Sequence, residues 1–282
     1  MDSKKVNESI DALKPTWIGR FFYRFLPYRR KVILSNIDQV FKNTLTPEKK
    51  KHLAKAFYSH LLRSIKEMIQ LRFISEQKLR DRVTVRGSER LMKIADEGRG
   101  VLILTGHFGN WEFAPLGGIM NFKKFQGQFH FIRRTLGNKT IERFLFRRYF
   151  NAGLNVIPKK RALSKVLRVL EKGHAVVFVL DQHASLVNKD GVAAEFFGKK
   201  AGTYRSLATI SRYTNLPVVP AAGYRQENGQ HVLEFGEPIE WQEYENTQEA
   251  IYHNTLAYNQ ALERIILAHP EQWLWLHRRW KI

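Results

Sequence analysis

Cysteine is absent from this 282-residue chain. Its absence excludes a disulfide framework, a cysteine-ligated metal site and a cysteine nucleophile. Long hydrophobic runs are lacking as well. The best candidate, residues 17–26, is far shorter than the ~20 apolar residues that a membrane-spanning helix needs, and Arg20 and Arg24 interrupt it. Residues 1–14 are polar and contain no apolar run of the kind that marks a signal peptide.

Acidic residues are few, with 26 Asp and Glu against 47 Lys and Arg, and the formal net charge is +21. Such a surplus indicates an anionic partner: nucleic acid, an anionic membrane, a phosphorylated substrate or an acidic protein. An ordinary basic surface is the simpler alternative. Hydrophobic residues make up 44% of the chain. This content suffices for a folded core and argues against disorder, and the length suits one large domain or two small ones.

The N-terminal region contains a short amphipathic pattern. At 100° per residue, one half of the helix carries the apolar side chains Trp17, Ile18, Phe21, Phe22, Phe25 and Leu26. Arg20 and Arg24 lie on the other half, and Pro27 ends the pattern before the basic run 29–31. This arrangement is typical of a helix at a membrane interface, although packing of the aromatic face onto the protein's own core is equally compatible. We interpret residues 1–45 as an amphipathic, basic, membrane-associating segment that precedes a domain spanning residues 46–282.

Hydrophobic periodicity in residues 46–282 predicts alternating strands and helices. Residues 47–73, after the N-cap candidate Thr46, and residues 88–97 read as helices. Strands are predicted at 101–104, 129–132, 155–157, 175–180 and 217–222, and further helices at 111–120, 138–151, 164–172, 203–214 and 247–268. His231–Phe235 is expected to form a more antiparallel edge. The pattern predicts one α/β domain with a mostly parallel sheet flanked by helices and a helical N-terminal extension. Dinucleotide and P-loop glycine patterns are absent.

The segment after strand 101–104 carries residues suited to acid–base chemistry. His107 follows the carboxyl end of the strand, where ligand sites form in parallel α/β sheets. Gly106 and Gly109 permit a tight turn. Asn110 is a good N-cap, which would place Glu112 in the first helical turn. A histidine oriented by a carboxylate can take a proton from a hydroxyl. The bare spacing is also compatible with a packed histidine and an ordinary helix-terminal acid, and a His-Glu-x-x-His zinc pattern is missing.

Several sequence blocks resemble the lysophospholipid acyltransferase superfamily, and more narrowly its lipid A biosynthesis lauroyl/myristoyl acyltransferase branch. The resemblance begins with the His-x4-Glu block Gly106–Glu112 and extends, in order, from about residue 20 to the end of the chain. The other blocks that carry it are Arg29–Val32 with Ser35–Ile37, Ile132–Arg133 with Gly137–Asn138, Asp181–Gln182, Phe196–Thr203 and Trp273–Lys281.

The resemblance implies an acyltransferase fold for residues 46–282 and acyl transfer from acyl carrier protein to a hydroxyl of a lipid A-like glycolipid or lysolipid. His107 would be the general base and Glu112 its orienting partner, while Arg133 would bind or polarise the substrate. The remaining residues expected at the substrate are Asn110, Asp181, Gln182, Phe197, Gly198 and Thr203. Thr203 is also a candidate cap of the helix that follows it. The expected partners are acyl carrier protein and the anionic lipid acceptor, with no metal, no cofactor and no nucleic acid.

The resemblance also implies a location at the cytoplasmic face of a bacterial inner membrane. Family members typically begin with a transmembrane anchor, whereas the short pattern here predicts peripheral or monotopic attachment. With neither a cysteine nor a serine paired with His107, direct attack by the acceptor hydroxyl is favoured. Three alternatives remain open at this point: carrier-dependent aminoacyl transfer to lipid A, non-enzymatic nucleic-acid binding, and a membrane-surface protein with a degenerate site.

Overall fold

The computed structural model describes residues 3–26, 28–122, 127–133, 147–188 and 190–281. Four helices open the chain: α1 (Ser3–Asp11), α2 (Trp17–Phe25), α3 (Arg30–Phe41) and α4 (Pro47–Gln70). Thr16 and Thr46 cap α2 and α4, because each hydroxyl accepts a hydrogen bond from a backbone N–H in the first turn. The helices α1, α2 and α3 pack against the long helix α4. The helical N-terminal region predicted from the sequence is therefore confirmed.

A seven-stranded sheet forms the centre of the α/β domain. Its strands are β1 (Val83–Arg86), β2 (Val101–Thr105), β3 (Phe129–Arg133), β4 (Leu154–Pro158), β5 (Ala175–Val179), β8 (Val218–Arg225) and β9 (His231–Phe235), in the spatial order β1-β9-β8-β2-β5-β3-β4. The five strands from β8 to β4 are parallel to one another. Within this sheet the described strands β8 and β9 pair in antiparallel fashion, and β1 pairs with β9 in parallel at the sheet edge. The predicted mostly parallel sheet is confirmed.

Two hydrophobic cores lie on the two faces of this sheet, because side chains alternate across a strand. Along β2, Leu102 and Leu104 belong to one core and Val101 and Ile103 to the other. Helices on both faces cover the cores: α5 (Glu76–Asp81), α6 (Ser88–Asp96), α7 (Phe113–Met120), α8 (Ala162–Leu170), α9 (Ser206–Thr214) and α10 (Thr247–Ala268). A short 3-10 helix at Pro270–Gln272 leads into the C-terminal segment.

A hairpin replaces part of one predicted helix. The sequence predicts a helix over residues 203–214, but β6 (Gly191–Phe196) and β7 (Lys199–Tyr204) pair in antiparallel fashion. Phe197 and Gly198 form the turn between them, and both have the positive φ that a tight hairpin turn requires. The helix begins only at Ser206, so Thr203 lies in a strand and does not cap it.

The C-terminal tryptophan and arginine residues hold this hairpin. The fully buried Arg279 donates hydrogen bonds of 2.6 Å to the Gly202 carbonyl and the Thr203 hydroxyl. Its guanidinium also lies over the Phe196 ring. Trp280 donates from its indole N–H to the Phe196 carbonyl oxygen. Arg279 and Trp280 are thus part of the fold.

The aromatic face of α2 is divided between the core and the solvent. Gly19 lies close against Ser59 of α4, and Phe22 packs against the core that contains Leu102 and Leu104. By contrast, Trp17, Phe21 and Phe25, spaced four residues apart, are 76%, 46% and 64% exposed. Packing onto the protein is therefore confirmed for part of this helix, and association of the exposed part with a membrane stays a prediction. In the part of the chain that the structure describes, no helix combines the length and apolarity needed to span a bilayer.

Predictions that fall on residues 134–146 lie outside the described residues. They include most of the predicted helix 138–151 and the block Gly137–Asn138. Residues 147–150 are helical.

Candidate active site

His107 and Asp181 meet because β2 and β5 are neighbouring parallel strands. Thr105 pairs with Val179, so the residues that follow each strand emerge side by side at the same sheet edge. His107 Nδ1 lies 2.9 Å from Asp181 Oδ1. The second carboxylate oxygen of Asp181 accepts hydrogen bonds from the His107 backbone N–H (2.8 Å) and from the Trp273 indole N–H (3.0 Å). The buried carboxylate therefore fixes both the ring and the main chain of His107.

Two glycines allow this close arrangement. A Cβ atom on Gly106 would lie 3.1 Å from Asp181 Cβ and Cγ, which is tighter than ordinary packing. Gly109 has a φ of +59°, and a Cβ atom there would lie 1.7 Å from the Gly223 carbonyl oxygen. The glycine positions in the His-x4-Glu block are thus explained by the approach of β5 and β8 to the turn.

The pair favours a protonated ring and an ionised carboxylate. Burial on its own would lower the pKa of His107, but the hydrogen bond and charge of Asp181 outweigh it and raise that pKa above the ordinary histidine value. Burial would likewise raise the pKa of Asp181, and its hydrogen bonds and the His107 charge bring that pKa below the ordinary value. An imidazolium formed at His107 is therefore stabilised.

The outer nitrogen of His107 faces Gln182 and a second histidine. Gln182 Nε2 lies 3.4 Å from His107 Nε2 and 3.4 Å from His277 Nε2. The two imidazole rings are 5.2 Å apart between centroids. With Nδ1–H assigned toward Asp181, the neutral ring of His107 presents an Nε2 lone pair, which is the form that accepts a proton.

The structure differs from the expectation that Glu112 orients His107. Glu112 occupies the N-cap position of α7, ahead of the first helical turn, and its carboxylate accepts a hydrogen bond from the Tyr149 hydroxyl. Burial raises the pKa of Tyr149 well above its usual value, the neighbouring Glu112 charge adds to this, and Arg133 acts in the opposite direction. Glu112, Tyr149 and Arg133 therefore form a polar group on the wall of the site, while Asp181 takes the position at His107 Nδ1.

A buried charge network supports the turn from behind. Arg225 at the end of β8 donates to Glu67 on α4 through Nε (3.0 Å) and Nη2. Arg225 Nη1 also donates to His60 Nδ1 at 2.9 Å, and His60 Nε2 faces the Gly109 carbonyl oxygen at 3.2 Å. Burial, with the Arg225 charge as a second cause, lowers the pKa of His60 to about 3, so this ring is neutral. The network ties α4 and β8 to the His107 turn.

Asn110 belongs to this network and has no exposed surface. Its amide donates to Glu67 Oε2 (2.9 Å), and its side-chain oxygen accepts from the backbone N–H groups of Glu112 and Phe113. These bonds hold the turn that leads into α7, but the N-cap residue is Glu112, so the prediction that Asn110 is the N-cap was wrong. The structure therefore gives Asn110 a supporting place instead of the expected contact with substrate.

A cavity of about 910 Å³ opens beside His107. Arg133, Gln182 and Glu112 line it, as do Trp111 and Tyr149. The apolar part of the wall includes Ile103, Ile119, Phe129, Val177 and Leu233. Of the residues expected at the substrate, Asn110, Asp181, Phe197, Gly198 and Thr203 are not part of the wall. Asp181 supports His107, and the last three belong to the hairpin held by Arg279.

Sequence reasoning missed Glu67, His60, Arg225, Tyr149 and His277. Glu67 and Arg225 are separated by 158 residues, and no local pattern links them. The available signal was an acid and a histidine on the same face of α4 as its buried apolar residues, because charged residues are rarely buried without a partner. His277 lies within the C-terminal block that carried the resemblance, and its contact with Gln182 depends on the fold.

The buried Glu67–Arg225 pair predicts a large loss of stability in Glu67→Gln. Neutralising Glu67 leaves the Arg225 charge buried without its counter-ion, which typically costs about 3–5 kcal/mol. The free energy of unfolding from urea titration is the measurement. Glu89→Gln is the matched control, since Glu89 is exposed and its ion pair with Arg90 is on the surface; it should change that free energy by less than about 1 kcal/mol. Equal effects of the two substitutions would contradict a buried ion pair.

The hydrogen-bonded pair of His107 and Asp181 predicts that Asp181→Asn lowers the pKa of His107. Removing the carboxylate charge leaves burial as the dominant influence, so this pKa should fall from above to below the ordinary histidine value of about 6.5. NMR titration of histidine-labelled protein measures it directly. The exposed acid Glu237 offers a control in Glu237→Gln, which should leave the His107 titration unchanged. An unchanged pKa in Asp181→Asn would refute the pairing.

Comparison with known proteins matches this chain to one family. The family model for bacterial lipid A biosynthesis acyltransferases matches residues 11–282. The lipid A biosynthesis palmitoleoyltransferase of Escherichia coli K12 is 25% identical over 268 residues, covering 94% of this chain and 83% of the relative. The lipid A biosynthesis lauroyltransferase of the same organism is 23% identical over 266 residues with the same coverage. The chain belongs to the bacterial lipid A biosynthesis acyltransferase family.

Proposed function

We propose that this protein transfers a fatty acyl group from the thioester of acyl carrier protein to a hydroxyl of a lipid A-like glycolipid. The observation that carries the proposal is the His107–Asp181 dyad beside a cavity with a largely apolar wall. A histidine held by a buried carboxylate supplies the base, and the cavity supplies space for a hydrocarbon chain. The relatives named as lauroyl- and palmitoleoyltransferases support the same chemistry.

The reaction needs one base and no covalent enzyme intermediate. His107 Nε2 accepts the proton of the acceptor hydroxyl as its oxygen attacks the thioester carbonyl carbon. The new C–O bond forms, the tetrahedral intermediate collapses, and the C–S bond breaks. The proton on His107 then passes to the departing thiolate sulfur, so the products are an ester and a thiol. Asp181 remains ionised and stabilises the transient imidazolium.

Arg133, Tyr149 and Glu112 form the second polar element of this proposal. Arg133 stands at the end of β3 on the cavity wall, where its cation suits the developing oxyanion or a phosphate of the acceptor. Glu112 accepts the Tyr149 hydroxyl proton in a hydrogen bond and faces the same cavity. In this scheme Glu112 positions Tyr149, and Asp181 positions His107.

The exposed aromatic row of α2 is proposed to hold the enzyme at the cytoplasmic face of the inner membrane. Trp17, Phe21 and Phe25 would enter the headgroup region, and Arg20 and Arg24 on the same helix favour anionic lipids. Peripheral attachment of this kind brings the cavity to the surface where a lipid acceptor resides.

Removal of the base predicts a loss of activity. In His107→Ala the rate of transfer from acyl carrier protein to the glycolipid should fall by about 10²-fold or more, the usual contribution of a positioned base. Purified enzyme, labelled acyl carrier protein and a lipid A precursor make up the assay. The control is His253→Ala, which removes a histidine of α10 that stacks on Tyr244 and should keep the wild-type rate. A folded His107→Ala protein with wild-type activity would overturn the proposal, and transfer of only an aminoacyl donor by the wild type would redirect it.

Loss of the aromatic row predicts weaker membrane binding. The triple change Trp17→Ser, Phe21→Ser and Phe25→Ser should lower partitioning into anionic vesicles by at least ~10-fold, since burying one large apolar side chain contributes about 1.5–3 kcal/mol. Vesicle sedimentation measures the effect. Tyr213→Ser with Tyr244→Ser removes two exposed aromatic rings elsewhere and should leave partitioning unchanged. Equal binding by the triple variant and the wild type would refute the membrane role of α2.

A further inference from the structure

A second positive surface lies on α8 and the loops beside it. Residues 159–172 contain six basic side chains and one acidic side chain, Glu171. We define the basic rim as Lys159, Lys160, Arg161, Lys165, Arg168 and Arg205, all of which are exposed. The helix α8 has no acidic residue in its first turn and no side-chain cap, so its N-terminal dipole adds to the positive potential.

The charges of the basic rim lack acidic partners in the part of the chain that the structure describes, whereas several other basic residues are paired. Elsewhere Lys49 pairs with Asp11 and Lys50 pairs with Asp38, at 2.7 and 2.6 Å. Among the described residues, no carboxylate forms an ion pair with any member of the basic rim, and Lys159 instead lies over the Tyr204 ring at 5.1 Å. Uncompensated cations on one surface attract an anionic partner and steer its approach.

This surface adjoins the opening of the catalytic cavity. Lys159 and Arg205 are exposed and also line the cavity that His107 faces. Leu163 lines the same cavity and is 56% exposed. A partner bound to the basic rim would therefore contact basic side chains and one exposed leucine. Both lie beside the opening through which a thioester must enter the cavity.

The composition of the basic rim favours a protein over a lipid surface. The exposed aromatic row that suits a bilayer is on α2, whereas the basic rim combines six cations with a single exposed leucine. Polar and charged borders around a small apolar contact are typical of transient protein–protein interfaces. We infer that the basic rim is the docking surface for an acidic carrier protein that presents its acyl thioester to His107. This inference rests on the carrier-dependent acyl transfer proposed above.

The test uses Lys160→Glu with Arg161→Glu in the full chain, because neither side chain lines the cavity. The KM for acyl carrier protein should rise at least 10-fold, with kcat within about twofold and a weaker dependence on salt, as expected for charges at the border of an interface. With acyl-pantetheine as the donor, which lacks the protein, kcat/KM should remain at the wild-type value. An unchanged KM for the carrier, or an equal loss with both donors, would overturn the inference.

The matched control carries the same charge change at the opposite side of the sheet. Lys78→Glu with Lys93→Glu lies on α5 and α6 toward the β1 edge, and the KM for the carrier should stay within twofold of wild type. An equal rise in this control would show a general charge effect and overturn the inference.

Two further measurements distinguish carrier-protein docking on the basic rim from membrane binding there and from failure of the proposed function. Binding of the Lys160→Glu/Arg161→Glu protein to anionic phospholipid vesicles should equal that of the wild type. A loss of vesicle binding with an unchanged KM would identify a membrane surface instead. If the wild type transfers acyl groups from neither donor, the proposed function fails. Titration with unacylated carrier protein then still tests the surface, with at least 10-fold weaker binding expected for the double variant and equal binding refuting it.

Discussion

The hydrogen bond between His107 and Asp181 depends on two parallel strands that end at the same level of the sheet. Because β2 and β5 are in register, the residues after Thr105 and Val179 leave the sheet together, and Gly106 lets the carboxylate approach the turn. The carboxylate then receives bonds from the ring, the main chain and Trp273. Strand register therefore decides which nitrogen of His107 faces the cavity, and the proposed chemistry follows from that orientation.

The same turn is held from two distant parts of the chain. Glu67 and Arg225 support it through Asn110 and His60. The C-terminal segment pairs with it through the Leu274 N–H and the His107 carbonyl oxygen. Asn36 of α3 donates hydrogen bonds to the carbonyl oxygens of Trp275 and His277. The N-terminal helix α3 is therefore connected to the site indirectly, by way of the C-terminal segment.

The sequence was sufficient for the class of fold and for placing His107 beyond the carboxyl end of β2, where the structure shows it beside the cavity. Buried strands such as 101–104 and 175–180 can be recognised in the sequence as short apolar runs. The helix at Thr247–Ala268 has the predicted bounds. The sequence alone could not identify the carboxylate that bonds His107, because choosing Asp181 over Glu112 requires knowing that β2 lies next to β5. The hairpin at Gly191–Tyr204 was also missed, since its strands are short and its conformation depends on Arg279, far along the chain.

The pH dependence of kcat/KM is the most direct test of His107 as the base, because it reports the ionisation of the free enzyme's base. The base must be neutral to accept a proton, and Asp181 raises the pKa of His107. We expect kcat/KM to rise with pH and then reach a plateau, with a midpoint that coincides with the His107 pKa measured by NMR, above about 6.5. A profile that is flat across this pKa, or that falls as the pH rises through it, would contradict His107 as the base.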